Sequence, residues 1–279
     1  MRVLITGAKG MLGTDLAEVL QDTHEVIGVD MDNFDITNIK ETVENINELR
    51  PDIVIHCAAY TNVDGCESEM ELAYKVNALG PRNVAVACNE INAAMVHIST
   101  DYVFDGTKGA SYIEDDATNA LSVYGKCKLA GENYVRTVLN KHYIVRTQWL
   151  YGKNGKNFVK TMVNLSKERD EIRVVNDQFG SPTYTLDLAY AIKELIQTPA
   201  YGIYHITNSG VVSWYEFTKD ILELAGAQGV NVVPITTEEI DRPAPRPKYS
   251  PLENFYWKLN GHEQLRSYKQ ALADYLEEI

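Results

Sequence analysis

The sequence predicts an α/β protein: a doubly wound parallel sheet over the first half, then a smaller mixed α/β domain. Three observations carry this expectation. Continuous apolar runs alternate with helical patterns up to residue 150, and strands that are apolar on both faces belong to a parallel sheet covered on both sides. A glycine-rich turn closes the first run and opens the first helical pattern. Beyond residue 150 the alternation gives way to mixed patterns around a proline-dense loop.

The elements follow in order. Residues 3–6 form the first strand, and residues 11–20 carry a helical apolar face. Residues 26–29 are the second strand. Residues 39–49 are a helix with Ile39, Val43, Ile46 and Leu49 on one side, stopped by Pro51. Residues 53–55 form a third strand, 72–91 one long helix, 94–98 a fourth strand, 124–139 a helix and 143–145 a fifth strand. The predicted unit, residues 1–150, is Rossmann-like. In the second half, 158–166, 186–197 and 214–225 read as helices and 172–175 and 204–207 as strands. Residues 185–207 are expected to return to the first sheet, leaving 151–279 mainly as a second, substrate-binding domain. Four of the nine prolines fall in residues 241–251, a stiff extended loop. A final helix is expected over 261–275.

Charge narrows the function. The chain has 279 residues and a net charge of −13. Residues 1–150 hold 12 basic and 22 acidic groups, a net −10, and the remainder 14 and 17, a net −3. Such a surface excludes non-specific binding to nucleic acid and opposes docking on anionic membranes. No apolar stretch approaches a membrane span of about 20 residues. The opening residues enter a strand pattern directly, without a signal-peptide core. Cys57, Cys66, Cys88 and Cys127 form no Cys-x-x-Cys pair. A cytoplasmic protein with free thiols is expected.

Two motifs point to chemistry. Gly7-Ala8-Lys9-Gly10-Met11-Leu12-Gly13 is placed where glycines allow a tight turn and close approach to a pyrophosphate, with free amides and the helix dipole facing the anion. Asp30, at the end of the second strand, suits the ribose hydroxyls of NADH and opposes the 2′-phosphate of NADPH, whereas Lys9 favours that phosphate. The balance favours NADH with NADPH tolerated. Asp35 and Ile36 could flank the adenine, or Asp35 could cap the next helix. The second motif is Tyr124-x-x-x-Lys128, one face of a helix, on which an ammonium can draw a phenol's proton towards neutral pH. Ser99-Thr100-Asp101 lies at the carboxyl end of the fourth strand, where a hydroxyl can bond a substrate oxygen as charge develops.

These motifs resemble the extended short-chain dehydrogenase/reductases and, within them, the dTDP-4-dehydrorhamnose reductase family. The resemblance runs nearly end to end. It includes residues 56–64, 76–77, 99–106, 124–132, 146–152 and 178–183, and the tail with Arg242-Pro243, Arg246-Pro247 and Ser250-Pro251-Leu252. It implies NAD(P)H-dependent reduction of the C4 ketone of dTDP-4-dehydro-L-rhamnose to dTDP-L-rhamnose, a precursor for polysaccharide. It implies Tyr124 as proton donor, Lys128 as the group that lowers its pKa, and Thr100 as the residue that orients the carbonyl. It places Gly7, Gly10, Met11, Leu12, Asp30, Asp35, Ile36, Ala58, Ala59, Tyr60 and Thr61 at the cofactor. Val63, Asp101, Tyr102 and Trp149 would meet the sugar; separately, the charge of the proline-stiffened loop suggests that the substrate's diphosphate could find Arg242, Arg246 and Lys248. Related epimerases and reductases use the same triad, and a non-catalytic regulatory protein resembles the family; intact Thr100, Tyr124 and Lys128 argue against the last.

Two departures stand out: Cys127 where the family pattern has threonine, and Gln148 where serine is commoner. Both read as packing variation. Some relatives bind magnesium at a dimer interface. Asp15 matches one such position and the others are not placed, so Mg2+ is possible but unassigned, no metal is assigned, and a homodimer is possible. The histidines show no paired zinc spacing, and His56 and His97 read as buried structural groups.

Overall fold

The computed structural model describes residues 1–227 and 229–279. The first five strands are β1 (Arg2–Thr6), β2 (Glu25–Val29), β3 (Ile53–His56), β4 (Ala94–Thr100) and β5 (His142–Thr147). Seven more follow: β6 (Leu150–Tyr151), β7 (Glu171–Val175), β8 (Phe179–Gly180), β9 (Thr183–Tyr184), β10 (Gly202–His205), β11 (Val212–Ser213) and β12 (Asn231–Ile235). The helices of the first half are α1 (Met11–Leu20), α2 (Ile39–Leu49), α3 (Val63–Ser68), α4 (Met70–Tyr74), α5 (Gly80–Glu90) and α6 (Val123–Val138). Those of the second are α7 (Phe158–Ser166), α8 (Thr185–Leu195), α9 (Trp214–Leu224), α10 (Phe255–Leu259) and α11 (Tyr268–Glu277).

Six strands form one parallel sheet in the order β10-β5-β4-β3-β1-β2. β1 and β3 are buried nearly throughout, which is why they read as unbroken apolar runs. On one face α1 packs against α8, with Leu12, Leu16, Leu188 and Ile192 in one core. On the other, Ile46 of α2, Val84 of α5 and Val135 of α6 share a second core. From β1 the chain steps outward to β2 and then crosses back to β3. The crevice beyond the carboxyl ends of β1 and β3 is therefore the switch point at which such sheets bind ligands.

A third core joins Tyr151, Val159, Phe217, Ile221, Leu272 and Tyr275 under short two-stranded pairings, β11 with β8, β12 with β7 and β6 with β9. β10 belongs to the main sheet, although its residues come late in the chain. Among the described residues, no helix is long and apolar enough to cross a membrane.

The local rules explain where the elements start. Asn38 caps α2 by accepting from Lys40 N and Glu41 N, and Ser122 caps α6 through Gly125 N at 3.1 Å. Three expectations change. The helix expected over 72–91 is interrupted by a π turn at Lys75–Leu79, where the Asn77 amide turns in to hold Tyr60 N and Tyr60 O, each at 2.9 Å. The last helix begins only at Tyr268, because Ser267 and Gln270 form a capping box there. β12 carries Pro234 and is not apparent as a strand from its sequence; it pairs on one side only, so the missing N–H costs no ladder bond.

Candidate active site

The glycine turn sets the floor of the site. Gly7 has φ +69, and a Cβ there would lie 2.7 Å from Ala58 N, so β1 and β3 approach too closely for any side chain. Gly10 opens α1 without a side-chain cap, which leaves the first helical amides for a ligand. After β2, the Asp30 carboxylate accepts from Met31 N at 2.9 Å and Lys9 N at 3.1 Å. The Lys9 ammonium reaches Asp32 at 2.6 Å. Asp30 thus ties its loop to the glycine turn, and Lys9 stands beside it. Asp35 accepts from Thr37 N and Thr37 Oγ1, both at 2.8 Å; it shapes the turn before α2, whose cap is Asn38.

A cavity of about 830 Å³ runs from this turn past the ends of β3, β4 and β5. Gly7, Gly10, Met11, Leu12, Asp30, Asp35, Ile36, Ala58, Ala59 and Thr61 line one part; Val63, Thr100, Asp101, Tyr102, Tyr124, Lys128 and Trp149 line the other. Two expected site residues stand apart. Tyr60 turns its ring into the small cluster of Cys66, Ala73 and Cys127, and its hydroxyl donates to Glu69. Arg246 stands behind the lining, against the cavity residue Tyr102, and is paired with Asp64, which accepts from both guanidinium ends at 3.0 and 2.9 Å. A bidentate carboxylate satisfies its charge, so Arg246 fastens the proline loop to α3.

The reacting end is built from β4 and α6. Thr100 Oγ1 donates to Asp101 Oδ1 at 3.1 Å and accepts from Tyr102 N at 3.2 Å. Ser250, from the proline loop, donates to Asp101 Oδ2 at 2.6 Å. Burial pushes the Asp101 carboxyl up to about 6 against these two bonds. Tyr124, in the first turn of α6, meets Tyr102 edge-on with centroids 5.5 Å apart. Burial, then Asp101, holds its phenol above the ordinary value, with the Thr100 hydroxyl opposing. Lys128 Nζ donates to Ile98 O at 2.7 Å, and burial brings it down to about 8. The Lys128 ammonium is thus turned to the β4 carbonyl, and burial is the largest influence on the phenol.

Behind these groups lies a buried ionic frame. Glu132, one turn beyond Lys128, accepts from Ser99 Oγ at 2.5 Å, Arg146 Nε at 3.0 Å and Arg146 Nη2 at 2.7 Å. It locks α6 to the ends of β4 and β5. Sequence reading gives Glu132 no role, although it lies on the same helix face as Tyr124 and Lys128. His56 accepts or donates at Thr6 Oγ1, 2.7 Å away, and stacks on His97. Burial pushes His56 down to about 3, so it stays neutral at ordinary pH. Asp15 is buried and accepts from Thr185 Oγ1 at 2.5 Å and Asn154 Nδ2 at 3.4 Å.

Trp149 is strained: its φ is +49, rare for a bulky residue and typical of sites where structure over-determines the backbone. Its ring stacks on Trp214 with centroids 3.5 Å apart and planes 10° apart. Trp214, from the second half of the chain, thus backs the Trp149 ring that lines the cavity.

Comparison with known proteins agrees with this geometry. The family model described as the RmlD substrate binding domain matches residues 1–279. The chain belongs to that family. It is 42% identical over 278 residues to the spore coat polysaccharide biosynthesis protein SpsK of Bacillus subtilis, covering 99% of this chain and 97% of that one. A dTDP-4-dehydrorhamnose reductase from Clostridium acetobutylicum superposes with a TM-score of 0.97 at 48% identity, covering 99% of each chain. One from Bacillus anthracis, solved in complex with NADP, gives 0.97 at 49%, covering 100% of this chain and 99% of that one. The uncapped α1 amides and the side-chain-free approach at Gly7 fit a dinucleotide of this kind.

Proposed function

We propose that this member of the family is an NAD(P)H-dependent oxidoreductase that reduces the C4 ketone of dTDP-4-dehydro-L-rhamnose to dTDP-L-rhamnose. The observation that carries the reading is the convergence of Thr100, Tyr124 and Lys128 on the cavity that the glycine turn opens. When bound, the reduced nicotinamide supplies a hydride to the sugar carbon.

This chain's residues supply the rest. The amides after Gly10 and the loop of Asp30, Asp35 and Ile36 hold the dinucleotide. Lys9 is free to exchange Asp32 for a 2′-phosphate, so both NADH and NADPH are accommodated. Thr100 and Tyr124 bond the ketone oxygen. Because burial holds the phenol above its ordinary value, Tyr124 keeps its proton at neutral pH and can give it to the oxygen as negative charge develops. The hydride on carbon and the proton on oxygen make the hydroxyl, and solvent restores the phenol. Lys128, charged below about 8, bonds ribose hydroxyls and stabilises the phenolate formed after transfer. Asp101 and Trp149 grip the sugar.

Incubation of the purified chain with dTDP-4-dehydro-L-rhamnose and NADPH or NADH, followed by NMR of the sugar, tests this. The reading requires the L-rhamno product. Unchanged ketone with both cofactors overturns it.

A further inference from the structure

A dinucleotide brings an anionic pyrophosphate to a half of the chain that bears a net −10. Four lysines line the cavity: Lys9, Lys75, Lys128 and Lys156. Lys9 Nζ lies 2.6 Å from Asp32 and Lys75 Nζ 2.7 Å from Glu71. Lys128 Nζ is buried on Ile98 O. Lys156 differs from all three. It is exposed and, among the described residues, its side chain forms no ion pair and no hydrogen bond.

The loop that carries Lys156, residues 152–157, joins β6 to α7 and is fastened at both ends. Gly152 is pressed against the starts of two helices: a Cβ there would lie 1.9 Å from Thr185 Oγ1 of α8 and 3.1 Å from Met11 Cγ of α1. Asn154 Nδ2 donates to Asp15 Oδ1 of α1 at 3.4 Å. Asn157 Nδ2 donates to Gly152 O at 2.8 Å and to Tyr275 OH at 3.0 Å, while its Oδ1 caps α7. Between these anchors Gly155 turns the chain with φ +76, and Gly155 and Lys156 line the cavity. The loop thus packs on Met11, the first residue of the helix whose amides Gly10 leaves uncapped.

We propose that Lys156 is the counter-charge for a bound diphosphate, the pyrophosphate of the dinucleotide, and adds an ammonium to the α1 amides. The inference rests on the dinucleotide reading of the cavity. A helix N-terminus offers about half a charge, and Asp30 and Asp35 in the same lining oppose an anion. A lysine meets phosphate as a point charge on a flexible stem, so it needs no fixed partner before the ligand arrives. Because Lys156 lies beyond β5, it ties the second half of the chain to a ligand seated on the first. The keto-sugar nucleotide carries a diphosphate too; the packing of the loop on Met11 favours the dinucleotide.

The test measures NADPH and NADH affinities by fluorescence titration, without sugar, for the wild-type chain, Lys156→Ala, Lys156→Arg and Lys153→Ala. Lys153 is exposed in the same loop but is not part of the cavity lining, so it controls for the loss of one positive charge. Lys156→Ala is expected to raise Kd for both dinucleotides by about three- to tenfold, with Lys156→Arg and Lys153→Ala within about twofold of wild type. The gap between wild type and Lys156→Ala should shrink as salt rises from about 0.05 to about 0.5 M, because an accessible pair is screened. Equal affinities in wild type and Lys156→Ala overturn the proposal; a raised KM for the keto-sugar alongside them assigns the lysine to the substrate's diphosphate instead. A loss confined to NADPH also overturns it, by assigning the lysine to the 2′-phosphate. A wild-type chain that binds neither dinucleotide removes the cofactor reading, and this inference with it. Binding without reduction of the sugar overturns the proposed activity alone.

Discussion

Glu132→Gln deletes a buried charge and leaves its partner behind. The carboxylate and the Arg146 guanidinium are 1% and 3% exposed and share two hydrogen bonds, with Ser99 Oγ on the same carboxylate. Breaking such a pair costs about 3–5 kcal/mol because the remaining ion stays desolvated. Here the lower end applies. Glutamine keeps one acceptor oxygen, and Arg146 retains the face of Phe104, 5.2 Å from its centroid. At about 2–4 °C per kcal/mol, the loss amounts to a fall of about 6–12 °C in Tm, read by calorimetry. The double variant Glu132→Leu, Arg146→Met removes both charges and is expected to recover most of that loss. The carboxylate also supports the charge on Lys128. The recovered double variant should therefore lose activity at lower pH on its alkaline side than the wild type. A double variant as unstable as the single one refutes the reasoning, since the cost would then not lie in the stranded charge.

Other outcomes follow from the site. Tyr124→Phe should keep NADPH affinity and lose about a hundred- to ten-thousand-fold in kcat; unchanged kcat removes the phenol from the reaction. Asp101 bears on stability with a definite sign. Its folded pKa, about 6, lies above the ordinary 3.8, so the stability present below 3.8 is lost as pH rises through about 6. Asp101→Asn should thus raise Tm at about pH 8, lose that gain near pH 4 and impair turnover; a lower Tm at the higher pH contradicts this. Asp30→Ala should shift the kcat/KM ratio of NADPH to NADH towards NADPH, because a carboxylate beside Lys9 is removed; steady-state kinetics with each cofactor measures it. Arg246→Ala should lower Tm through release of Asp64 and raise KM for the keto-sugar more than kcat falls; an unchanged KM leaves the loop without influence on the substrate.

Much of this is legible because it is periodic or local. Buried parallel strands must be apolar on both faces, and a glycine turn after the first strand has few uses. Tyr124 and Lys128 share a helix face by spacing alone. What the sequence hides depends on long-range packing. Tyr60 adjoins cofactor-loop residues, yet Asn77 holds its backbone so that its ring turns away. Arg246 reads as a free cation until Asp64, 182 positions earlier, is placed beside it. Ser250 reaches Asp101 across 149 positions. Spacing pairs Lys128 with Tyr124, but burial, invisible in spacing, is the largest influence on both groups.

The central claim is hydride delivery to the sugar's C4 with proton delivery from Tyr124. Reduction with NADPH deuterated at the nicotinamide C4, followed by NMR of the sugar product, tests it most directly. Hydride delivery to C4 places deuterium at sugar C4, in the L-rhamno configuration, and its incorporation falls in step with turnover in Tyr124→Phe. Product without deuterium at C4, or labelled turnover undiminished in Tyr124→Phe, would contradict it.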